Sequence, residues 1–321
     1  MKHCTTLWSF FLALHACAGD GDDATRDAAE TLAAIDSGAT DTLAETFPAS
    51  DVAAPDASGD TPTPDAATHH GPGTDALLAL MRSDDRAHYE TAVADGVTFH
   101  ATADGDSFYA LWKPAGFDPE RDGILVSLPG HDVFASTSYT VWRPFVSARR
   151  YAFIGVHWWF GTGETTADYL TPEAIYSDVA AALAEQGLPH GRALFEGFSR
   201  GSANSYAVIA RDRAATTPIF ALAIANAGGM NAGYGPNVEI IDGAFGATPF
   251  VGSRWVLFCG GEDTNPESDC AAMHATDAWL RPLGAEVLLF IEDPAGGHGG
   301  FHQNAANANR ALDLYESLLA E

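Results

Sequence analysis

The feature that most constrains the fold of this chain is a regular alternation of short apolar runs with amphipathic stretches after residue 96. Runs that are apolar on both faces are typical of strands covered by helices on both sides. Their alternation with helices predicts an α/β protein with an eight-stranded, mostly parallel sheet. The first two runs flank Asp104 and Gly105, which predicts a hairpin. The expected strands are 97–101, 107–113, 124–128, 151–157, 193–196, 219–226, 254–259 and 285–291, and the expected helices are 137–150, 172–186, 200–211, 266–283 and 303–320.

A Gly-x-Ser-x-Gly motif at residues 197–201 stands between the fifth expected strand and the third expected helix. Ser199 is at its centre, and Gly197 and Gly201 leave room for a tight turn that exposes the serine hydroxyl. The free N–H groups at the start of the following helix face the same position and favour negative charge there. A serine presented in this way is typical of a nucleophile that attacks a carbonyl carbon.

With this motif after the fifth of eight strands, the chain resembles the α/β-hydrolase family over about residues 97–320. The resemblance implies an α/β-hydrolase fold, with helices on both faces of the sheet. It also implies a serine hydrolase whose nucleophile, acid and histidine follow one another in that order. Residues 227–253 are glycine-rich and lack the pattern of a long helix. We therefore expect no large helical lid and an open site, which suits bulky or polymeric esters.

The resemblance places the acid after the seventh strand and the histidine after the eighth. Asp263 is the expected acid, and Glu262 is the alternative. His298, which lies among glycines, is the expected histidine, and His302 near the last helix is the alternative. In these roles His298 takes the proton of Ser199 and returns it to the leaving group. Asp263 orients His298 and stabilises its charged form.

Two backbone N–H groups are expected to bind the oxyanion of the reaction. The first belongs to Arg200, directly after the nucleophile, and the second to the loop 128–132 after the third strand. Pro129 stands where members of the family often have a histidine. The N–H of His131 is therefore the expected second donor.

An aromatic sequence, Trp158-Trp159-Phe160, follows the fourth strand at the edge of the sheet where ligands bind. One interpretation is that Trp158, Trp159 and Phe160 line an acyl or aromatic substrate pocket. The other is that they belong to the hydrophobic core. The sequence leaves both interpretations open.

The N-terminus has the composition of an export signal. A basic start precedes an apolar run at 7–14 that is too short to span a bilayer. Residues 1–17 resemble a bacterial lipoprotein signal peptide, in which Cys17 is lipidated. The alternative is an ordinary secretory signal cleaved near residue 16 or 18. Both interpretations predict export from a bacterial cell, either as a cell-envelope lipoprotein or as a secreted protein.

Residues 18–73 consist largely of Ala, Asp, Thr, Pro and Gly. Such a segment buries too little apolar surface to offset its ordering entropy, which predicts a disordered tether before a catalytic domain at 74–321. The formal net charge of -27 repels nucleic acid and excludes it as a partner. The same charge repels anionic membranes, so membrane contact is expected only through lipid on Cys17. The oligomeric state is not indicated.

Cys259 and Cys270 remain once the two cysteines of the signal region are set aside. In an exported chain we expect them to form a disulfide. Because they flank the loop that contains Asp263, the bridge would stiffen that loop. The alternative is a pair of buried thiols.

Together these residues predict an exported serine hydrolase that cleaves small-molecule or polymeric carboxylic esters through an acyl-enzyme. No cofactor or metal is expected, because Gly161 and Gly163 lack the third glycine of a dinucleotide fingerprint and no zinc-type His/Cys spacing occurs. Two alternatives stay open. One is a serine peptidase of the same fold. The other is a non-catalytic surface binding lipoprotein, in which Ser199 and His298 would lie beyond hydrogen-bond reach.

Overall fold

The computed structural model describes residues 71–160 and 166–321. The predicted signal with Cys17, most of the predicted tether and the Gly161–Gly163 segment lie outside these residues. Within the described part of the chain, no helix has both the length and the apolar character needed to cross a membrane.

Eight strands of the described chain form one sheet in the order β1-β2-β4-β3-β5-β6-β7-β8. All eight expected strands are confirmed, with ends that differ by at most two residues. They are β1 Thr98–Ala101, β2 Phe108–Trp112, β3 Ile124–Leu128, β4 Ala152–His157, β5 Ala193–Phe198, β6 Phe220–Asn226, β7 Arg254–Gly260 and β8 Glu286–Asp293.

The sheet is mixed, which corrects the expectation of a mostly parallel sheet. The predicted hairpin is confirmed, since β1 pairs antiparallel with β2 across a turn at Asp104 and Gly105. The second strand of this hairpin also pairs antiparallel with β4. A short turn permits only antiparallel pairing, whereas the longer helical connections beyond β3 permit parallel pairing. The pairs from β4 to β8 are accordingly parallel.

The helices alternate with the strands after β3. The expected helix at 172–186 is confirmed at both ends: the side chain of Thr171 accepts a hydrogen bond from the N–H of Ala174, and Gly187 ends the helix with a φ of 63°. The sequence pattern missed the two helices before β1. The helices are α1 Thr74–Asp84, α2 Arg86–Ala94, α3 Ala135–Arg149, α4 Pro172–Gln186, α5 Arg200–Ala214, α6 Gly235–Ile241, α7 Cys270–Leu280, α8 Gly300–Gln303 and α9 Ala305–Leu319.

The central strands are the most deeply buried part of the molecule. Every residue of β3 and β4 is buried, so both faces of the sheet are covered at its centre. The carboxyl ends of β3, β5 and β6 are neighbours in the sheet. Side chains that follow these strands therefore meet at one edge, where α/β proteins bind their ligands.

Candidate active site

Ser199 lies at the turn between β5 and α5. Its backbone has a φ of 53° and a ψ of -118°, a conformation that residues with a side chain rarely adopt. Two hydrogen bonds hold the turn: the N–H of Ser199 donates to the carbonyl oxygen of Asn226 over 2.8 Å, and its own carbonyl accepts from the N–H of Ala203 over 3.0 Å. The turn is thus fixed to the end of β6 and to the first turn of α5.

The two glycines of the motif are required because the neighbouring backbone is too close for a side chain. A Cβ atom on Gly201 would lie 2.2 Å from the carbonyl oxygen of Leu128, and one on Gly197 would lie 2.4 Å from the carbonyl oxygen of Gly201. Real Cβ atoms do not approach a backbone oxygen so closely. The motif therefore allows α5 to pack directly against the strand ends on either side of Ser199.

The structure brings Ser199, His298 and Asp263 together. The Oγ atom of Ser199 lies 2.9 Å from Nε2 of His298, and Nδ1 of His298 lies 2.7 Å from Oδ2 of Asp263. Their side chains are shielded from water, with 16% of the His298 side chain and 4% of the Asp263 side chain exposed. The alternative acid, Glu262, is exposed. Of the two expected acids, Asp263 is the one that contacts the histidine.

The carboxylate of Asp263 is held in its charged form. Burial alone would raise the pKa of Asp263, but the hydrogen bond and charge of His298, the N–H of Asn265 and the hydroxyl of Ser268 together lower it below its usual value. The N–H of Asn265 donates to Oδ1 over 3.0 Å, and the Ser268 hydroxyl donates to Oδ2 over 2.8 Å. A charged Asp263 favours the proton of His298 on Nδ1, which leaves the lone pair of Nε2 facing Ser199.

Ser268 was missed by the sequence analysis. Its side chain is buried, and its Oγ also lies 3.2 Å from Nδ1 of His298. It follows Asp263 by five residues and lies in the stretch 266–283 that was expected to be helical, whereas α7 begins only at Cys270. The contact was missed because Ser268 lies in the loop before that helix.

A disulfide joins Cys259 at the end of β7 to Cys270 at the start of α7, with a Cα–Cα distance of 5.0 Å. It closes the loop that carries both Asp263 and Ser268. These two cysteines and Glu292 form the one cluster with metal-ligand spacing in the described residues. Because its sulfur atoms are bonded to each other, this cluster does not offer thiolate ligands to a metal.

The residues expected to supply the oxyanion donors are Arg200, which follows Ser199 in the chain, and His131, whose loop lies beside Ser199. Arg200 is the first residue of α5, where N–H groups have no partner within the helix. The loop with His131 approaches from β3, since a Cβ on Gly130 would lie 3.1 Å from Cβ of Ser199. Nδ1 of His131 lies 2.5 Å from the Tyr169 hydroxyl, and this contact fixes the His131 side chain.

The aromatic sequence after β4 belongs mainly to the core. Trp158 is fully buried and Trp159 is 4% exposed, which favours the core interpretation over a pocket wall. The indole N–H of Trp158 donates to the carbonyl oxygen of Pro129 over 2.8 Å and so fixes the loop beside Ser199. Phe160 is half-buried and packs against the same core.

A second buried carboxylate, Glu196, lies beneath the turn and was also missed. It accepts hydrogen bonds from Ser127, Trp142 and Asn226 over 2.9, 3.2 and 3.1 Å. Burial raises the pKa of Glu196 to about 7, against the opposing effect of these three donors. The signal in the sequence was a single charged residue inside an otherwise apolar strand.

The alternative histidine, His302, is placed away from Ser199. It lies in α8, 4% exposed, with its ring edge-on to Trp142 at 4.5 Å between centroids. Burial lowers the pKa of His302 to about 3. Its ring packs in the interior against Trp142, Phe145 and Phe301 and not against Ser199 or Asp263.

No protein-family model matches the chain, and no curated protein matches it. Among solved structures, esterase B from Lactobacillus rhamnosis has a TM-score of 0.50 at 13% identity, over 77% of this chain and 94% of that one. A thermostable esterase has a TM-score of 0.46 at 15% identity, over 68% and 62%. Oligopeptidase B from Leishmania major has a TM-score of 0.47 at 14% identity, over 70% and 36%.

This chain therefore spans about a third of the oligopeptidase and less than two thirds of the thermostable esterase. The similarity to esterase B shows the α/β-hydrolase fold and nothing finer, because the identity is low. The fold implied by the resemblance of the sequence is thus confirmed, with the sheet mixed rather than mostly parallel.

Proposed function

We propose that this protein is a serine hydrolase that cleaves carboxylic esters, with Ser199, His298 and Asp263 as its catalytic residues. The observation that carries the proposal is the continuous hydrogen-bonded chain from Oγ of Ser199 through both nitrogens of His298 to Oδ2 of Asp263. A nucleophile, a base and an acid in this geometry are the machinery of acyl transfer. The non-catalytic alternative predicts that Ser199 and His298 lie beyond hydrogen-bond reach. The 2.9 Å distance from Oγ of Ser199 to Nε2 of His298 argues against it.

In the first half of the reaction, Oγ of Ser199 attacks the carbonyl carbon while its proton moves to Nε2 of His298. The carbonyl oxygen becomes an oxyanion that accepts hydrogen bonds from the N–H groups of Arg200 and His131. Asp263 stabilises the positive charge that His298 acquires. The intermediate collapses, the carbon–oxygen bond to the alcohol breaks, and the alcohol leaves with the proton from His298.

In the second half, water attacks the acyl-enzyme and gives its proton to Nε2 of His298. The second oxyanion collapses, the acid is released, and the proton returns to Oγ of Ser199. Each oxyanion donor contributes about 10²–10³ in rate, since it is already oriented before charge develops. No redox step is involved.

The substrate proposed is a small-molecule or polymeric ester. The stretch between β6 and β7 contains only the seven-residue α6 among its described helices, which supports an open site. Export as a lipoprotein anchored through Cys17, or as a secreted protein, is proposed from residues 1–17 alone. The disulfide supports it, because such bridges persist outside the reducing cytosol.

The test combines labelling with turnover. A fluorophosphonate probe should label the wild-type protein and not Ser199→Ala, and hydrolysis of para-nitrophenyl acetate should be lost in that variant. Ser202→Ala is a matched control, because this buried serine lies in α5, three residues after Ser199, and its hydroxyl donates to the carbonyl oxygen of Gly228. An unlabelled wild-type protein, or full activity in Ser199→Ala, would overturn the proposal. Comparing ester with anilide substrates separates esterase from peptidase.

A further inference from the structure

Glu196 is a buried carboxylate that has no part in the reaction steps proposed above. It lies in β5, three residues before Ser199, and only 1% of it is exposed. Its three hydrogen bonds come from uncharged donors, and no basic group of the described chain stabilises its charge. Taking a lone carboxylate out of water costs free energy, which uncharged donors offset only in part. Stability alone therefore does not account for a glutamate at this position.

The three donors belong to three elements that surround the turn at Ser199. The Ser127 hydroxyl in β3 donates to Oε2 over 2.9 Å, and the indole N–H of Trp142 in α3 donates to the same oxygen over 3.2 Å. The side-chain amide of Asn226, at the end of β6, donates to Oε1 over 3.1 Å. Because β3 and β6 are the two neighbours of β5 in the sheet, one carboxylate joins the strand ends on both sides of the turn.

Each of these strand ends carries a part of the proposed site. On the β6 side, the carbonyl oxygen of Asn226 accepts the N–H of Ser199 over 2.8 Å. On the β3 side, Ser127 directly precedes the loop that carries His131, whose N–H is proposed as an oxyanion donor. Asn226 thus connects Glu196, through its side chain, to the backbone of Ser199, through its main chain.

The orientation of the Asn226 amide depends on Glu196. Among the described residues Oδ1 of Asn226 is buried without a partner, so the amide is held by its bond to the carboxylate. The hydroxyl of Ser127 also lies 2.7 Å from that of Ser138, which extends the network into α3. Removing the acceptor would leave several buried donors unsatisfied at once and would free the strand ends to shift.

We propose that Glu196 is a positioning residue, whose charged carboxylate holds the ends of β3 and β6 so that Ser199 and the oxyanion loop face the same substrate carbonyl. The inference rests on the proposed ester hydrolysis and adds a residue to it. Glu196 acts through Ser127 and Asn226 and not by contact with the substrate.

The charged form of Glu196 is the one that fits its three donors. An ionised carboxylate accepts on both oxygens, whereas a protonated one donates from one of them. Burial raises the pKa of Glu196 to about 7, against the opposing effect of the donors, so the charged form predominates above that pH. The elements β3, α3 and β6 present hydroxyl, indole and amide groups to it, which do not titrate here. From α8, His302 lines the same cavity, and burial lowers the pKa of His302 to about 3, so this ring stays neutral.

The first test compares the wild type with Glu196→Gln, which is isosteric and uncharged, across pH. At about pH 8.5 we expect kcat for para-nitrophenyl acetate to be about 10-fold lower in the variant with KM nearly unchanged, because a misplaced Ser199 slows the chemical step. Below about pH 6 the wild-type carboxyl is protonated as well, so the ratio of the two kcat values should approach one. The titration of His298 occurs in both proteins and cancels from this ratio.

Stability separates positioning from a loss of the fold. The pKa of Glu196 is raised in the folded protein, so its contribution to the free energy of unfolding falls as the pH rises from 4.5 to about 7. Glu196→Gln carries no such charge and should be no less stable than the wild type at about pH 8.5 in urea unfolding. Asp212→Asn is the matched control, because this buried carboxylate at the far end of α5 pairs with Arg213. It should lower stability and leave kcat unchanged.

Asn226→Ala tests the route by which Glu196 acts. If the carboxylate works through Asn226, the second substitution removes little that the first has left. The kcat of the double variant should then be clearly higher than the product of the two single effects predicts. Independent, multiplicative effects on kcat would overturn this route.

The outcomes separate the two proposals. An unchanged kcat in Glu196→Gln at about pH 8.5, a kcat ratio that is the same at every pH, or a loss of kcat matched by an equal loss of stability would overturn the role of Glu196. Fluorophosphonate labelling and ester turnover by the wild type would still leave the proposed esterase intact. A protein that neither reacts with the probe nor hydrolyses any ester overturns both.

The wild type alone decides the question if Glu196→Gln does not fold. Two groups that must lose a proton, His298 and Glu196, give a plot of log labelling rate against pH with a slope above one on the acid side. His298 alone gives a slope of one, which would overturn the role of Glu196.

Discussion

The turn that carries Ser199 and the loop that carries Asp263 are held in different ways. The turn depends on close backbone packing, in which Gly197 and Gly201 leave no space for a side chain. The loop depends on side-chain hydrogen bonds to Asp263 and on the bridge between Cys259 and Cys270. The proposed nucleophile, Ser199, is thus positioned by sterics, and the proposed acid, Asp263, by directed polar contacts and a covalent link. Substitutions in the two regions should therefore lower activity or stability for different physical reasons.

The largest effect is expected from Asp263→Asn. Replacing the carboxylate of a Ser-His-Asp triad by an amide lowers kcat by about 10⁴, because the histidine adopts the wrong tautomer. The protein should remain folded, since the change is isosteric. Glu262→Gln is the control, because Glu262 is exposed next to the same loop. Steady-state kinetics would contradict the assignment if the two variants were equally active.

Gly201→Ala should damage the fold as well as the activity. The added Cβ would lie 2.2 Å from the carbonyl oxygen of Leu128, and relieving this overlap requires backbone movement that costs about 3 kcal/mol or more. Gly235→Ala is the matched control, because nothing lies within 4 Å of the added atom there. Urea unfolding should separate the two variants. Equal free energies of unfolding for Gly201→Ala and Gly235→Ala would mean that the backbone around Gly201 leaves room for a Cβ atom.

Removing the disulfide tests the other region. In the chain-entropy model, closing a loop with a sequence separation of 11 contributes about 3 kcal/mol. Cys259→Ala combined with Cys270→Ala should lower the free energy of unfolding by about that amount, with a smaller loss of kcat than in Asp263→Asn. Dithiothreitol should weaken the wild type in urea and leave the double variant unchanged. Insensitivity of the wild type to the reductant would argue against the bridge.

The smallest effect is expected from Ser268→Ala. Its hydroxyl contributes one charge-assisted hydrogen bond to Asp263, and losing such a bond should lower kcat about 10-fold with little change in KM. Ser268→Thr keeps the hydroxyl and should restore activity, whereas Ser317→Ala removes an exposed hydroxyl as a control. An unchanged kcat in Ser268→Ala would show that the bridge and backbone alone position the acid.

The same contrast explains what the sequence could predict. The turn was found because steric limits require glycine at fixed positions, and the ends of α4 were found because Thr171 and Gly187 act locally. Ser268 was missed because the stretch 266–283 was expected to be helical, whereas the helix begins at Cys270 and the contact of Ser268 depends on how the loop before it closes. The antiparallel pairing of β2 with β4 was missed for a similar reason, since it joins segments about 45 residues apart.

The backbone of Ser199 has a consequence for the history of such a chain. At a φ of 53° a side chain costs about 1–2 kcal/mol that glycine would avoid. A lineage with no use for the hydroxyl would gain stability by drifting to glycine at this position. The strained serine is therefore a residue that stability does not favour and that selection for reactivity can maintain.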